Sequence, residues 1–157
     1  MAKKLVELTW QEMQEHLDKD PIRPHITAKF RTDSPHRAAC ALENKGDIEA
    51  IVCLSFGYGV PIDEGKLAIH NIMGHMGPDF VIVPYTMWSY KKGAGSDIIN
   101  RLLKQLKREY KGMDKSEWPR LVTMSPKTEM AQNFHIKNGA ELLAENESSN
   151  NFEYKLY

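Results

Sequence analysis

The residues best suited to chemistry in this chain form one short run, Tyr90-Lys91-Lys92-Gly93-Ala94-Gly95-Ser96. It follows an apolar stretch of strand character, Phe80 to Trp88. It precedes a segment in which Ile99, Leu102, Leu103, Leu106 and Tyr110 recur at helical spacing. Glycines at a strand-to-helix turn let the backbone come close to a ligand. The first amides of the helix have no partner inside it and lie at the positive end of its dipole. Together these features predict a cradle for phosphate, with Lys91 and Lys92 adding positive charge.

Three kinds of phosphate-binding loop compete for this run. A nucleotide-triphosphate loop of the form GxxxxGK[ST] needs its lysine after the last glycine, whereas Lys92 comes before Gly93. A dinucleotide loop of the form GxGxxG matches at Gly93 and Gly95, but Ile98 stands at the third glycine. The third, the acyl-coenzyme A signature [QR]xxGx[GA], matches at Gly93 and Gly95 and has Tyr90 in place of its opening Gln or Arg. A turn that needs glycine for conformation alone explains the loop equally well.

The elements that must position this loop are legible in outline. Leu8 to Asp20 reads as a helix, with Thr9 and Glu12 as a capping box and Pro21 and Pro24 beyond its end. Ala38 to Glu43 and Ile48 to Phe56 are two strands joined by the tight turn Asn44-Lys45-Gly46-Asp47. Gly112 stops the helix that follows the glycine loop. Arg120 to Met124 is a short strand. Ser125-Pro126 then reads as an N-cap and first position of a helix with Met130, Ala131 and Phe134 inward, closed by Gly139. Glu141 to Ala144 and Phe152 to Leu156 are the last strands, joined by residues 145–151. Residues 1–36 and 57–78 carry weak patterns. The order helix, β, β, β, helix, β, helix, β, β predicts a mixed α/β sheet flanked by helices, in a single domain over residues 1–157.

Composition narrows the function classes. Lys plus Arg and Asp plus Glu are each 21, so the chain has no basic excess for general nucleic-acid binding. Cys40 and Cys53 lie in apolar strands and read as reduced, buried thiols of a cytoplasmic protein. No Cys/His cluster predicts a metal, and His70 and His75 lack a third ligand. No apolar run is long enough for a membrane span, and the basic start has no apolar stretch behind it.

From about Arg37 to its end the sequence resembles the GNAT (GCN5-related N-acetyltransferase) superfamily, as a divergent member. The glycine loop and the order of elements carry the resemblance. So does Ala131-Gln132-Asn133-Phe134-His135-Ile136-Lys137-Asn138-Gly139-Ala140, which is similar to the family's AxxFYxxxGF stretch, with His135 at the Tyr and Ala140 at the Phe. The resemblance implies a mostly antiparallel, twisted GNAT-like sheet. It implies acetyl-CoA as co-substrate, with no metal, and direct acyl transfer to an amine of a small molecule or protein. Backbone groups of Tyr85 and Met87 would take the pantetheine arm as an added strand does. Tyr90, Lys91, Lys92, Gly93, Ala94, Gly95 and Ser96 would hold the pyrophosphate, and Asn133 would touch the cofactor.

His135 would be the acid that protonates the leaving thiolate. A histidine with no catalytic role is the plainer reading of it. No base declares itself, with Glu64 and Asp79 as candidates, and Tyr58, Tyr85 and Trp88 are aromatic groups that either line a pocket or pack the core. Two other functions stay open: a non-catalytic CoA-binding or protein-interaction module, and a malonyl-CoA decarboxylase-like activity. Leu121-Val122-Thr123-Met124-Ser125-Pro126 resembles the serine segment of those decarboxylases, although helix capping by Ser125 also accounts for it. No nucleic-acid or membrane partner is expected, and a homodimer is left open.

Overall fold

The computed structural model describes residues 3–74 and 76–157, so His75 lies outside the described residues. Among the described residues seven strands form one sheet: β1 (Lys3–Glu7), β2 (Arg37–Asn44), β3 (Asp47–Tyr58), β4 (Phe80–Ser89), β5 (Arg120–Val122), β6 (Glu141–Glu145) and β7 (Asn150–Tyr154). The helices are α1 (Trp10–His16), α2 (Ala28–Arg31), α3 (Glu64–Ile69), α4 (Ala94–Tyr110) and α5 (Glu129–Lys137). The spatial order is β1-β2-β3-β4-β5-β7-β6. Every pairing is antiparallel except β4 with β5, which is parallel. Among the described residues no helix is long and apolar enough to cross a membrane.

Both faces of the sheet are buried, and the alternation along β3 shows it. Ala50, Val52 and Leu54 point to the side covered by α4, where Ile98, Ile99, Leu102 and Leu106 meet them. Ile51 and Cys53 point to the opposite side, where Leu8, Met13, Ala28 and Leu67 close a second core. The capping box of α1 is present: Thr9 accepts from the Glu12 amide, and Glu12 accepts from the Thr9 amide.

The sequence expectations need correction at several points. β1 was missed because its charged residues, Lys3, Lys4 and Glu7, hide a strand whose apolar members are only Leu5 and Val6. α2 and α3 lie in the stretches of weak pattern, and each is too short to show a period. α5 begins at Glu129 with Thr128 as its N-cap, and Ser125 instead forms a bridge with Asn150. That bridge, with the bonds between Thr123 and Phe152, draws the last strand back to Asn150–Tyr154. Met130 is 80% exposed because α5 turns His135 to the sheet, and five residues of helix rotate a side chain about 140° further round.

Under the second core lies a charged network with no counterpart in the sequence reading. Asp20 and Arg31 are both buried and pair at 2.8 Å. Asp20 also accepts from the amides of Ile22 and Arg23 and from the Thr86 hydroxyl. Burial alone would raise the Asp20 carboxyl. Those amides and the Arg31 guanidinium outweigh it and hold the group below its usual value. Arg31 also donates to the carbonyls of Ile26 and Arg23, so the segment between α1 and α2 is folded around its guanidinium.

Candidate cofactor and acyl-transfer site

β4 and β5 start side by side and then separate. They pair only at Val81 with Arg120 and Ile82 with Leu121, and a last bond runs from the Met124 amide to the Pro84 carbonyl. β4 remains paired with β3 throughout, with Tyr85 as an extra residue between the pairs Leu54–Pro84 and Cys53–Thr86. The bulge puts Tyr85 and Thr86 on the same face. Beyond it the Tyr90 amide donates to the Glu49 carbonyl. Antiparallel pairing alternates, so Trp88 also faces β3, while the backbone groups of Met87 and Ser89 face away from it, where no strand of the described residues lies beside them.

The open edge of β4 leads straight to the glycine loop. Gly93 is the N-cap of α4 with φ 83°, and no atom lies within 4 Å of where a Cβ would stand. Only a residue at ease in the left-handed region fits there. The Ala94 amide turns back to the Lys91 carbonyl, and the Asp97 amide bonds to the Gly93 carbonyl. The amides of Gly95 and Ser96 between them have no partner among the described residues. Gly95 has a different reason to be glycine: a Cβ would stand 3.3 Å from the Phe134 ring, where α5 packs on the first turn of α4. Asn138 at the end of α5 fastens the same contact by donating to the Ser96 hydroxyl at 3.2 Å.

The charges around the loop are unequal. Lys91 lies 3.4 Å from Glu49, a carboxylate that Lys3 also approaches at 3.2 Å. Lys3 then reaches Asp97 in the first turn of α4, which Arg101 holds at 2.8 Å. Bonds from Asn44 and Lys3 hold the Glu49 carboxyl below its usual value against desolvation. Lys92 is exposed and has no ion-pair partner among the described residues, so its charge is open to a ligand.

The remaining predicted site residues divide. Met87 and residues 91–96 come together along the open edge and the loop. Tyr90 joins them in space, but its amide is used by β3 and its hydroxyl by Trp88 Nε1 at 3.0 Å and His16 Nδ1 at 2.8 Å. The expectation of an available carbonyl at Tyr85 is not met, because buried Arg23 donates to it. The Tyr85 ring faces the second core, and burial pushes its hydroxyl well above the usual value. Asn133 is exposed on α5, without a partner among the described residues. Asp79 is paired with Arg120 at the far end of β4 from the loop.

His135 is a core residue. It is 6% exposed, its Nδ1 lies 2.7 Å from the Tyr154 hydroxyl, and its ring stacks on Phe152 at 5.1 Å. The expectation that it protonates a leaving group therefore fails on geometry. Burial lowers its pKa from 6.5 to about 4, so it is held neutral. A folded value below the unfolded one means that its contribution is complete above about pH 6.5 and is lost as the pH falls towards 4. The stability advantage of the wild type over His135→Gln should shrink by about 2 kcal/mol between pH 7 and pH 5, read from denaturant unfolding at each pH. A difference independent of pH would contradict this.

Glu64, a candidate base in the sequence, lies in a second group of polar side chains around the bulge, whose other members, Arg23 and His25, the sequence did not single out. Arg23 donates to the Tyr85 carbonyl, and Glu64 lies 3.4 Å from Arg23 Nε and 2.6 Å from His25 Nε2. Desolvation lowers the pKa of Arg23, against the opposing pull of Glu64 and Asp20. Arg23 and His25 lie on an irregular segment and Glu64 opens the short helix α3, and a buried arginine carries no periodic signal. Among the described residues no three His, Cys, Asp or Glu side chains cluster as for a metal ion.

No protein-family model matches the sequence, and no curated protein matches it. Solved structures do match. The Arabidopsis thaliana protein NAA60 in complex with acetyl-CoA superposes with a TM-score of 0.63 at 13% identity, covering 97% of this chain and 97% of that one. The Campylobacter jejuni N-acetyltransferase PseH gives 0.54 at 12%, covering 99% of both chains. The fold is that of the GNAT acetyltransferases. A malonyl-CoA decarboxylase from Agrobacterium vitis is also similar, with a TM-score of 0.59 at 17% identity over 90% of this chain. The match spans 38% of that protein, so this chain corresponds to well under half its length. At such identities the likeness to the GNAT proteins is one of fold.

Proposed function

We propose that this chain binds acetyl-CoA and transfers its acetyl group directly to an amine. The observation that carries the reading is the pair of unpartnered amides at Gly95 and Ser96, next to the open edge of β4 at Met87 and Ser89. The loop fits a pyrophosphate: the Gly93 position is open, two amides point outward at a helix start, and Lys92 stands by. The edge fits an amide-bearing arm, which would add to β4 as a short strand. Asn133 and the exposed Met130 of α5 would flank it from the other side. The NAA60 structure contains acetyl-CoA, which supports the choice of ligand.

Bound acetyl-CoA would supply the activated thioester. The protein's part is to place the acyl carbon beside the bulge of β4 and to admit a neutral amine to it. The amine nitrogen forms a bond to the acyl carbon and gives up a proton, the carbon–sulfur bond breaks with its electron pair on sulfur, and the thiolate takes up a proton. Free CoA release from acetyl-CoA in the presence of amines, followed with a thiol reagent, tests the reading. Saturable, amine-dependent release supports it. Acetyl-CoA binding without release for any amine would leave a non-catalytic CoA-binding module.

One observation favours a second reading. Ser125 does not cap a helix but lies buried where β4 and β5 have parted, its hydroxyl 2.7 Å from that of Thr123. With the decarboxylase likeness, this motivates including malonyl-CoA in the same assay. Conversion to acetyl-CoA without any amine would favour decarboxylation over transfer.

A further inference from the structure

The bulge of β4 is connected to the protein surface by a chain of side chains that the acetyl-transfer reading leaves without a task. Arg23, buried, donates to the carbonyl of the bulge residue Tyr85. Its Nε lies 3.4 Å from one oxygen of Glu64, and the other oxygen lies 2.6 Å from His25 Nε2. The side chains of Glu64 and His25 are 46% and 60% exposed, so water and a substrate reach them. A solvent-exposed ion pair contributes little to stability, so structural support is a weak reason for this arrangement. A carboxylate only accepts, so His25 Nε2 is the donor to Glu64, and Nδ1 is the ring nitrogen left without a partner among the described residues.

We infer that His25 is the general base that prepares the amine, and that Glu64 is its positioning residue; the inference rests on the acetyl-transfer reading. Nδ1 takes one proton from the acceptor's ammonium. The neutral amine then attacks the acyl carbon, and the resulting imidazolium is stabilised by Glu64 at 2.6 Å until it returns the proton to water. Arg23, bonded to the Tyr85 carbonyl and 3.4 Å from Glu64, attracts that carboxylate towards the strand beside which the acyl carbon would lie. Glu64 and Arg23 are the charged groups in contact with the pair among the described residues.

The test uses the full chain, acetyl-CoA, and three amine probes: spermidine, glucosamine and a peptide with a free N-terminus. Amine-dependent CoA release should fall about a hundredfold in His25→Ala, with acetyl-CoA affinity by calorimetry and the thermal midpoint unchanged. Added imidazole should restore part of the rate in His25→Ala and leave the wild type as it was, a response that loss of a surface contact would not give. Glu64→Gln should lower the rate about tenfold without imidazole rescue. Wild-type turnover with an undiminished rate in His25→Ala, or a loss that imidazole does not touch, would overturn the assignment of the base alone. A wild type that binds acetyl-CoA and turns over none of the probes would overturn the assignment together with the transfer reading.

Discussion

Asp20→Ala is expected to destabilise the protein by about 3–5 kcal/mol, because it leaves the Arg31 guanidinium buried without its carboxylate. The loss reaches further than one pair. Asp20 also holds the amides of Ile22 and Arg23 and the hydroxyl of Thr86, all of which would lose their acceptor. With total stability near 5–15 kcal/mol for an ordinary domain, the variant should unfold at a much lower denaturant midpoint. A replacement of both partners, Asp20→Leu with Arg31→Met, should recover part of the loss, since two apolar groups leave no uncompensated charge. A single variant within about 1 kcal/mol of wild type would mean that the pair is solvated and the network unimportant.

Gly93→Asp is expected to weaken acetyl-CoA binding about a thousandfold while leaving the fold intact. The position has open space around it, and Asp is among the residues that tolerate a positive φ. The new carboxylate would stand beside the amides of Gly95 and Ser96, in competition with the phosphates they would otherwise hold. Losing two charge-assisted hydrogen bonds at roughly 2 kcal/mol each gives that factor. Gly93→Asn has nearly the same shape without the charge and should keep affinity within about tenfold. Gly95 is a poorer place for the experiment, since a side chain there would press on Phe134 and loosen the contact of α5 with α4. Equal loss in the Asp and Asn variants would point to loop strain rather than charge.

How far the sequence revealed this molecule depended on how local each feature was. The hairpin of β2 and β3, the strand β4 and the amphipathic helix α4 have their pattern in a single run of residues, and each appeared within a few positions of its prediction. The glycine loop was legible for the same reason. What depends on distant partners was not. β1 exists because its backbone pairs with β2, and its charged residues disguise it. His135 matched a motif position in the resemblance, but the neighbours that bury it, Phe152 and Tyr154, belong to a distant strand whose packing against α5 no local pattern shows. The Asp20–Arg31 pair and the Arg23–Glu64–His25 chain join segments that show no periodicity, so no window of sequence contains them. Gly95 shows a related limit: its type was noticed, but the reason recorded in the structure is a contact with α5, not only approach to a ligand.

Titration of the purified wild type with acetyl-CoA by calorimetry, with Gly93→Asp alongside, tests the central claim most directly. The account predicts saturable binding at one site in the wild type, lost in the variant at equal thermal stability. Absence of binding in the folded wild type, or equal binding in both proteins, would contradict the assignment of the loop at Lys91 to Ser96 as the phosphate cradle.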